Sequence, residues 1–278
     1  MTDDVDAYCQ LRHSRLPKKS RVKSAPAEYA VSAGISTASQ TSTSLRLLEL
    51  DDRYDKQEYF RSESRDFSPN TFRCPWREIA PSVQNLFKRG WKHPDKAFPD
   101  IQRIFAVVLP NHLERPYLAY ESRLERSHGD SGVNEKLVFH GTPRYCRLGD
   151  GDKIMGLCKK SACGLCAILR QSFSVKQAGT APDRDFLRFG HGIYTSSASS
   201  KADDYTDDHS NSQNRVLLVA RAALGKGKVL RRNTENLRSP PSGYASVLGE
   251  VGFGLNYDEQ VLYRDNAIRS AYVIIYEP

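Results

Sequence analysis

The stretch from Phe189 to Tyr205, F-G-H-G-I-Y-T-S-S-A-S-S-K-A-D-D-Y, limits the possible fold more than any other part of the chain. Gly190 and Gly192 open it, and without side chains they let the backbone turn tightly and lie close to a bound molecule. Ile193, Tyr194 and Thr195 are strand formers, so the turn runs into a short strand that holds the Tyr194 ring rigidly. Ser199 or Ser200 has the chemistry of a helix cap, and in the helix it would open Lys201 and Tyr205 fall one turn apart. Turn, strand and helix together set two aromatic rings around a slot.

Strands dominate the rest of the chain. Ile104 to Leu109, I-F-A-V-V-L, is rich in β-branched residues and is broken by Pro110-Asn111. Further strands are predicted at residues 137–141, 193–196, 215–222, 260–263 and 271–276. A helix is predicted from the serine cap Ser82 to the glycine stop Gly90, with Trp76 and Trp91 flanking it as packing residues. Leu113, Tyr117, Tyr120 and Leu124 recur at four, three and four, the face of a second helix that carries Pro116 in its first turns. Strands outnumber helices too strongly for a parallel sheet that alternates with helices. The expected class is therefore α+β, two small packed sheets with peripheral helices.

Upstream of the slot lies Val138-Phe139-His140-Gly141-Thr142, and downstream lies Tyr257-Asp258-Glu259-Gln260-Val261-Leu262-Tyr263. H-G-T, then G-x-G-I-Y with S-K-x-x-x-Y behind it, then Y-x-E-x-V-x-Y, each on a readable strand, resembles the His-Tyr-Glu signature of the poly(ADP-ribose) polymerase branch of the ADP-ribosyltransferases. The resemblance covers residues 101–278, extends back toward Phe72, and is greatest to a fungal group with cysteines after H-G-T. It implies an ADP-ribosyltransferase fold of two mainly antiparallel sheets and NAD as substrate.

By that resemblance His140, Tyr194 and Glu259 are the catalytic residues. His140 would bond ribose hydroxyls, Gly141 the nicotinamide carboxamide, and Tyr194 and Tyr205 would sandwich the nicotinamide ring. Thr142, Gly192 and Lys201 complete the expected NAD-binding set, with Arg184 and Arg188 on a loop from Ser174 to Phe189 over the pocket. Chemistry asks for the same kit: cleaving the nicotinamide–ribose bond develops positive charge on the sugar, and a carboxylate must face it. Glu259 supplies one.

There is a departure at Ala202, where many family members carry a serine that hydrogen-bonds the carboxamide. A lost neutral bond of about 0.5–1.5 kcal/mol weakens binding without arguing inactivity, and Ser196, Ser199 or Ser200 is a candidate to compensate. The segment Lys226 to Gly249 would be the acceptor-side loop, and Ser246-Val247-Leu248-Gly249 resembles the S-V-x-G element before the glutamate strand. The resemblance implies transfer of ADP-ribose to a protein or nucleic acid acceptor, mono- or poly-. NAD hydrolysis, a non-catalytic NAD- or ADP-ribose-binding module, or an interaction module stapled by zinc are the alternatives.

Cys146, Cys158, Cys163 and Cys166 form a second feature. The C-x-x-C opens a segment, Leu165 to Phe173, that reads as a helix, and four thiolates would complete a tetrahedral zinc site. Packing of small buried cysteines is the alternative. The cluster looks like an insertion after H-G-T, which zinc would staple.

Residues 1–48 carry too little apolar mass to offset the entropy of ordering and are expected to be a disordered tail. Residues 49–71 read as a charged linker or partly ordered segment, and 72–278 as the catalytic domain with its core at 101–278. Within the tail, Pro17-Lys18-Lys19-Ser20-Arg21-Val22-Lys23 is similar to a nuclear-import signal and equally to a solvated basic tail. The net charge of +8 permits nucleic-acid contact. No apolar run approaches the ~20 residues of a membrane span, and six unevenly placed cysteines suit a reducing compartment better than a disulfide framework. An intracellular, nuclear or nucleocytoplasmic protein is the expectation.

Overall fold

The run V-L-L-V-A at residues 216–220 is apolar without a break because both faces of its sheet are covered. The computed structural model describes residues 44–50, 76–128, 132–151, 156–180 and 186–278. The basic run at 17–23, the Ser/Thr-rich stretch to residue 43, residues 51–75, the ring of Trp76 and Arg184 lie outside them. Strands β1 (Arg46–Glu49), β2 (Asp100–Val108), β3 (Glu135–Gly141), β5 (Arg215–Ala223) and β9 (Ile268–Glu277) form one sheet in the order β1-β2-β9-β5-β3, antiparallel throughout. Strands β4 (Ile193–Thr195), β6 (Gly227–Leu230), β7 (Ser246–Gly249) and β8 (Glu259–Leu262) form a second in the order β4-β8-β7-β6, in which only β6 and β7 run parallel. The α+β class with two mainly antiparallel sheets is what the sequence led us to expect.

Period-two alternation sorts the core. Val216, Leu218, Ala220, Val273 and Ile275 face one side with Tyr117, Tyr120, Leu124, Leu165 and Leu169. Leu217, Val219, Ile274 and Tyr276 face the other with Val83 and Phe87. The first group comes from α2 (Asn111–His128) and α3 (Gly164–Gln171), the second from α1 (Trp76–Gly90). Each fully buried large apolar side chain contributes about 1.5–3 kcal/mol, so both helical layers are held by the strands they cover.

Three sequence expectations change. The helix expected from Ser82 begins at Trp76 and runs through Pro81, because Ile79, Ala80, Val83 and Phe87 make one continuous apolar stripe whose burial outweighs the lost backbone bond. The tail boundary at residue 48 cuts through β1, whose residues pair from Arg46 with Val108 to Glu49 with Phe105. Leu47 faces one core while Leu48 and Leu50 pack on the other. Finally, the segment taken as the acceptor-side loop begins and ends in paired strands, with Gly227 opposite Ser246 and Leu230 opposite Gly249. Trp91 packs on Phe87, Phe98 and Tyr276, as a structural tryptophan would. Among the described residues no helix is long and apolar enough to cross a membrane.

The sheets meet where β3 and β4 end. Phe139 N–H donates to Ser196 O at 2.8 Å, and Ser196 N–H to Phe139 O at 3.1 Å. His140 follows Phe139 and Tyr194 precedes Ser196 by two, so this junction puts both beside the seam.

Candidate active site

A cleft of about 380 Å³ opens at that seam, lined by Phe139, His140, Gly141, Tyr194, Thr195, Ser196, Lys201, Ala202, Tyr205 and Glu259. Six of the residues expected from the sequence therefore share one wall-to-wall space: His140, Gly141, Tyr194, Lys201, Tyr205 and Glu259.

One wall is α4 (Ser199–Asp203), five residues that could not hold a helix alone. Tertiary bonds hold it. Ser199 Oγ donates to Phe87 O at 2.8 Å, and Ser200 Oγ accepts from Lys92 N at 2.9 Å and His93 N at 3.2 Å. Asp203 accepts from Lys96 Nζ at 2.7 Å, Arg215 Nη1 at 2.9 Å and Tyr276 Oη at 2.6 Å. Burial raises the Asp203 pKa, but these bonds outweigh it and hold the carboxyl below its usual value. The helix cap is Ala198, not Ser199 or Ser200, because both hydroxyls are committed to α1 and the loop after it. Ser196 Oγ likewise donates to Asp258 O at 2.8 Å, so none of the three serines is spare to replace the family serine at Ala202.

Gly141 is fixed by close packing: a Cβ there would lie 1.9 Å from Ala202 O. The end of β3 thus sits directly against α4, with Tyr205 turning off its last turn through Tyr205 N–H to Ala202 O at 3.1 Å. His140 Nδ1 lies 2.9 Å from Tyr194 O, and since a carbonyl only accepts, Nδ1 carries the proton and Nε2 is an acceptor. Burial lowers the His140 pKa, only partly opposed by that bond, so the ring is neutral at pH 7. Phe173 packs edge-on against it, centroids 5.1 Å apart.

Tyr194 is anchored at both ends. Its backbone pairs with Val261, and its hydroxyl accepts from Phe189 N at 2.8 Å and donates to Gly190 O at 2.9 Å. Burial pushes its phenol pKa up, so the hydroxyl stays a donor. Tyr263 Oη donates to Phe189 O at 2.6 Å, so two tyrosines pin the glycine turn. The glycines serve the protein's own packing rather than a ligand. At Gly190, φ +75°, a Cβ would meet Leu237 O at 2.0 Å, and at Gly192 it would meet Val261 Cγ1 at 2.4 Å.

Glu259 opens β8 opposite Gly249 and is 8% exposed. Its Oε1 accepts from Lys201 Nζ at 2.6 Å, and Lys201 also donates to Tyr257 O at 3.2 Å. Its Oε2 is buried with no hydrogen-bond partner among the described residues. Such an atom costs about 1–3 kcal/mol unless something donates to it, so this carboxylate is built to receive a donor from the cleft.

Three expected binding residues lie outside the cleft lining. Thr142 is buried beneath α3, its Oγ1 2.0 Å from where a Gly164 Cβ would be. Gly192 packs under β8 as above. Arg188 donates to Asn233 Oδ1 and to Gly254 O at 2.9 Å, which ties its guanidinium to neighbouring loops. Sequence reasoning missed Phe173, Asp203 and His93, whose ring stacks on Tyr257 at 4.2 Å and whose Nδ1 is 2.7 Å from Ser200 Oγ. No periodic or motif signal marks them, since each acts through a long-range contact. The four cysteines, by contrast, do converge: every Sγ lies within 4.8 Å of the others, an arrangement able to hold a metal ion.

The family model of the poly(ADP-ribose) polymerase catalytic domain matches residues 80–252, more than half of the chain. The chain belongs to that family. The matched span of this poly(ADP-ribose) polymerase-family chain contains His140, Tyr194, Lys201 and Tyr205 but stops short of Glu259, whose placement rests on the geometry of β8. Among curated relatives, it is 33% identical to human protein mono-ADP-ribosyltransferase PARP4 over 95 residues, 32% of this chain and 6% of that one. To the Mus musculus protein of the same name it is 28% identical over 151 residues, 51% of this chain and 7% of that one. It therefore spans less than a tenth of the length of either relative. The family implies NAD as the substrate.

Proposed function

We propose that this chain is an NAD-dependent ADP-ribosyltransferase that releases nicotinamide and passes ADP-ribose to a macromolecular acceptor, most simply a protein. The observation that carries the reading is Glu259 Oε2, buried, without a partner among the described residues, and on a side chain that lines the same cleft as His140, Tyr194 and Tyr205. A ribose hydroxyl is the donor that oxygen lacks. His140 Nε2 is a second acceptor for a sugar hydroxyl, and the Tyr194 and Tyr205 rings offer aromatic faces to the nicotinamide, a flat cation. Arg188 is left out of this scheme, since it does not line the cleft and its Nη1 and Nη2 donate to Asn233 Oδ1 and Gly254 O.

As the bond from ribose carbon to nicotinamide nitrogen breaks, its electron pair leaves with the nicotinamide and positive charge grows on the sugar. The fixed Glu259 carboxylate stabilises that charge. The acceptor's oxygen or nitrogen then bonds to the same carbon, and its proton passes to Glu259 and on to water. The mammalian relatives are mono-ADP-ribosyltransferases by name, which supports transfer of single units here. The basic run at 17–23 suits a nuclear site of action.

Incubation with NAD labelled in the adenylate moiety, with and without a protein extract, tests the reading. Label bound to protein, with nicotinamide released in equal amount, is the expected result. Free ADP-ribose as the sole product would make the chain an NAD glycohydrolase, and no nicotinamide release would make it a binding module. Either would overturn the assignment.

A further inference from the structure

Four cysteines between residues 146 and 166 converge beneath the His140 wall of the cleft. Cys146 follows β3 by five residues, Cys158 lies in the connecting loop, Cys163 is the residue before α3 and Cys166 lies in its first turn. Their sulfur atoms are all within 4.8 Å of one another, with Cys146 to Cys163 at 3.8 Å and Cys146 to Cys166 at 3.5 Å. A tetrahedron of sulfurs about 2.3 Å from one ion has edges of about 3.8 Å. A disulfide needs sulfurs about 2.05 Å apart, and none joins these four thiols among the described residues. A polynuclear iron–sulfur cluster would hold its ligands further apart than this.

The surroundings suit a tetrathiolate. Cys163 and Cys166 are fully buried, and together with Cys146 and Cys158 they would fill all four positions of a structural site. Tyr145 N–H donates to Cys163 Sγ at 3.4 Å. Lys160 and Arg170 sit at the rim, donating to Tyr145 O and Cys158 O respectively, where their charges offset the two negative charges a divalent ion leaves on four thiolates. Simple packing of small side chains accounts for buried Cys163 and Cys166 but not for half-buried Cys146 and Cys158 turned onto the same point.

We infer that these four cysteines hold one structural zinc ion, and that the ion positions the His140 wall of the cleft. The second part rests on the function proposed above. The path is short: Leu165 N–H donates to Pro143 O at 3.3 Å, Gly164 packs on Thr142, and α3 delivers Phe173 onto His140. The metal fixes the start of α3, so Phe173 at its far end stays against the ring. His140 is held in orientation by the ion and does not touch it.

Elemental analysis of the full chain purified without chelator should find about one equivalent of zinc, and cobalt substitution should give the absorption of a tetrahedral tetrathiolate. Cys163→Ser should weaken metal affinity by about tenfold or more and lower Tm. Because that variant is at risk of misfolding, Cys158→His is the second arm: it should keep the metal and alter the cobalt spectrum. Stripping zinc should raise KM for NAD, and returning it should restore KM. Protein that carries no zinc, refuses cobalt and melts unchanged would overturn the site, as would disulfides among these cysteines in native protein. A filled site whose removal leaves KM unchanged would overturn the positioning role. Metal content is read without NAD, so failure of the proposed activity leaves this result distinct.

Discussion

Lys201 Nζ lies 2.6 Å from Glu259 Oε1, while Oε2 of the same carboxylate is buried and has no partner among the described residues. One oxygen is thus used to aim the group and the other is kept for the cleft. Glu259→Gln keeps the shape and removes the charge, so transfer should fall by roughly 10²-fold or more while an NAD analogue still binds. Full activity in that variant would refute the assignment.

The same pair predicts a stability effect separable from catalysis. Both side chains are mostly buried, 13% and 10% exposed, so Lys201→Met leaves a carboxylate without its counter-ion at a cost of about 3–5 kcal/mol. Adding Glu259→Gln should return most of that stability and none of the activity. Denaturant melts of the two single variants and the double variant measure the coupling, and additive losses would show that the two do not act as a pair.

Gly141 has no room for a side chain. Gly141→Ala places a carbon 1.9 Å from a backbone oxygen of α4, and α4 is held by Phe87, Lys96, Arg215 and Tyr276, so β3 must give. We expect a loss of about 1–3 kcal/mol and a rise in KM for NAD, because His140 precedes the displaced residue. Unchanged kinetics would mean that the end of β3 is not part of the site.

The sequence made the strands of the cleft legible because each carries its chemistry locally: H-G ends β3, I-Y-T is β4 and E-Q-V-L is β8. What it hid was orientation. Ser199 and Ser200 looked like caps because their residue type favours that role, and only the arrival of Phe87 and Lys92 from 112 and 108 residues away shows their hydroxyls spent elsewhere. Arg188 looked like a phosphate ligand for the same reason, since charge and loop position can be read from sequence but Asn233 and Gly254 as partners cannot. Strand β1 escaped because Leu47-Leu48 breaks the polar–apolar alternation expected of an edge strand, a pattern that makes sense only with both faces covered.

That strand gives a further prediction. Leu47 is 8% exposed and packs in the core under α2, so Leu47→Ala should cost about 2 kcal/mol, the low end for a buried leucine because the site lies on an edge strand. Turnover of the folded fraction should be unchanged, as β1 contributes nothing to the cleft. Denaturation at equilibrium checks the first part, and a variant as stable as the parent would show that β1 does not belong to the sheet.

Asp203 links acid stability to the cleft wall. Its carboxyl is held below the usual value of 3.8, since the bonds from Lys96, Tyr276 and Arg215 outweigh the opposing effect of burial. A depressed carboxyl contributes stability that is present above its unfolded pKa and lost as pH falls through the folded one. The chain should therefore lose stability below about pH 4, and Asp203→Asn should be less stable at pH 7 with a flatter acid limb. An unaltered acid limb in that variant would exclude Asp203 as its source.

The role proposed for His140 predicts the pH dependence of turnover. Burial, its largest influence, lowers the pKa below 6.5, and the Tyr194 carbonyl recovers only part of the shift. A base whose folded pKa is depressed prefers its neutral form, so the competent ring is fully present above the unfolded value and is lost as pH falls through the lower folded one. With Nδ1–H committed to Tyr194 O, protonation must occur at Nε2 and would replace an acceptor with a donor just where the sugar hydroxyl is proposed to bind. The profile of kcat/KM should therefore carry an acid limb with its midpoint below 6.5 and no limb from this group on the alkaline side. His140→Gln, which keeps an acceptor but cannot titrate, should be slower and should lack that limb. A midpoint above 6.5, or the same limb in His140→Gln, would show that another group controls the reaction.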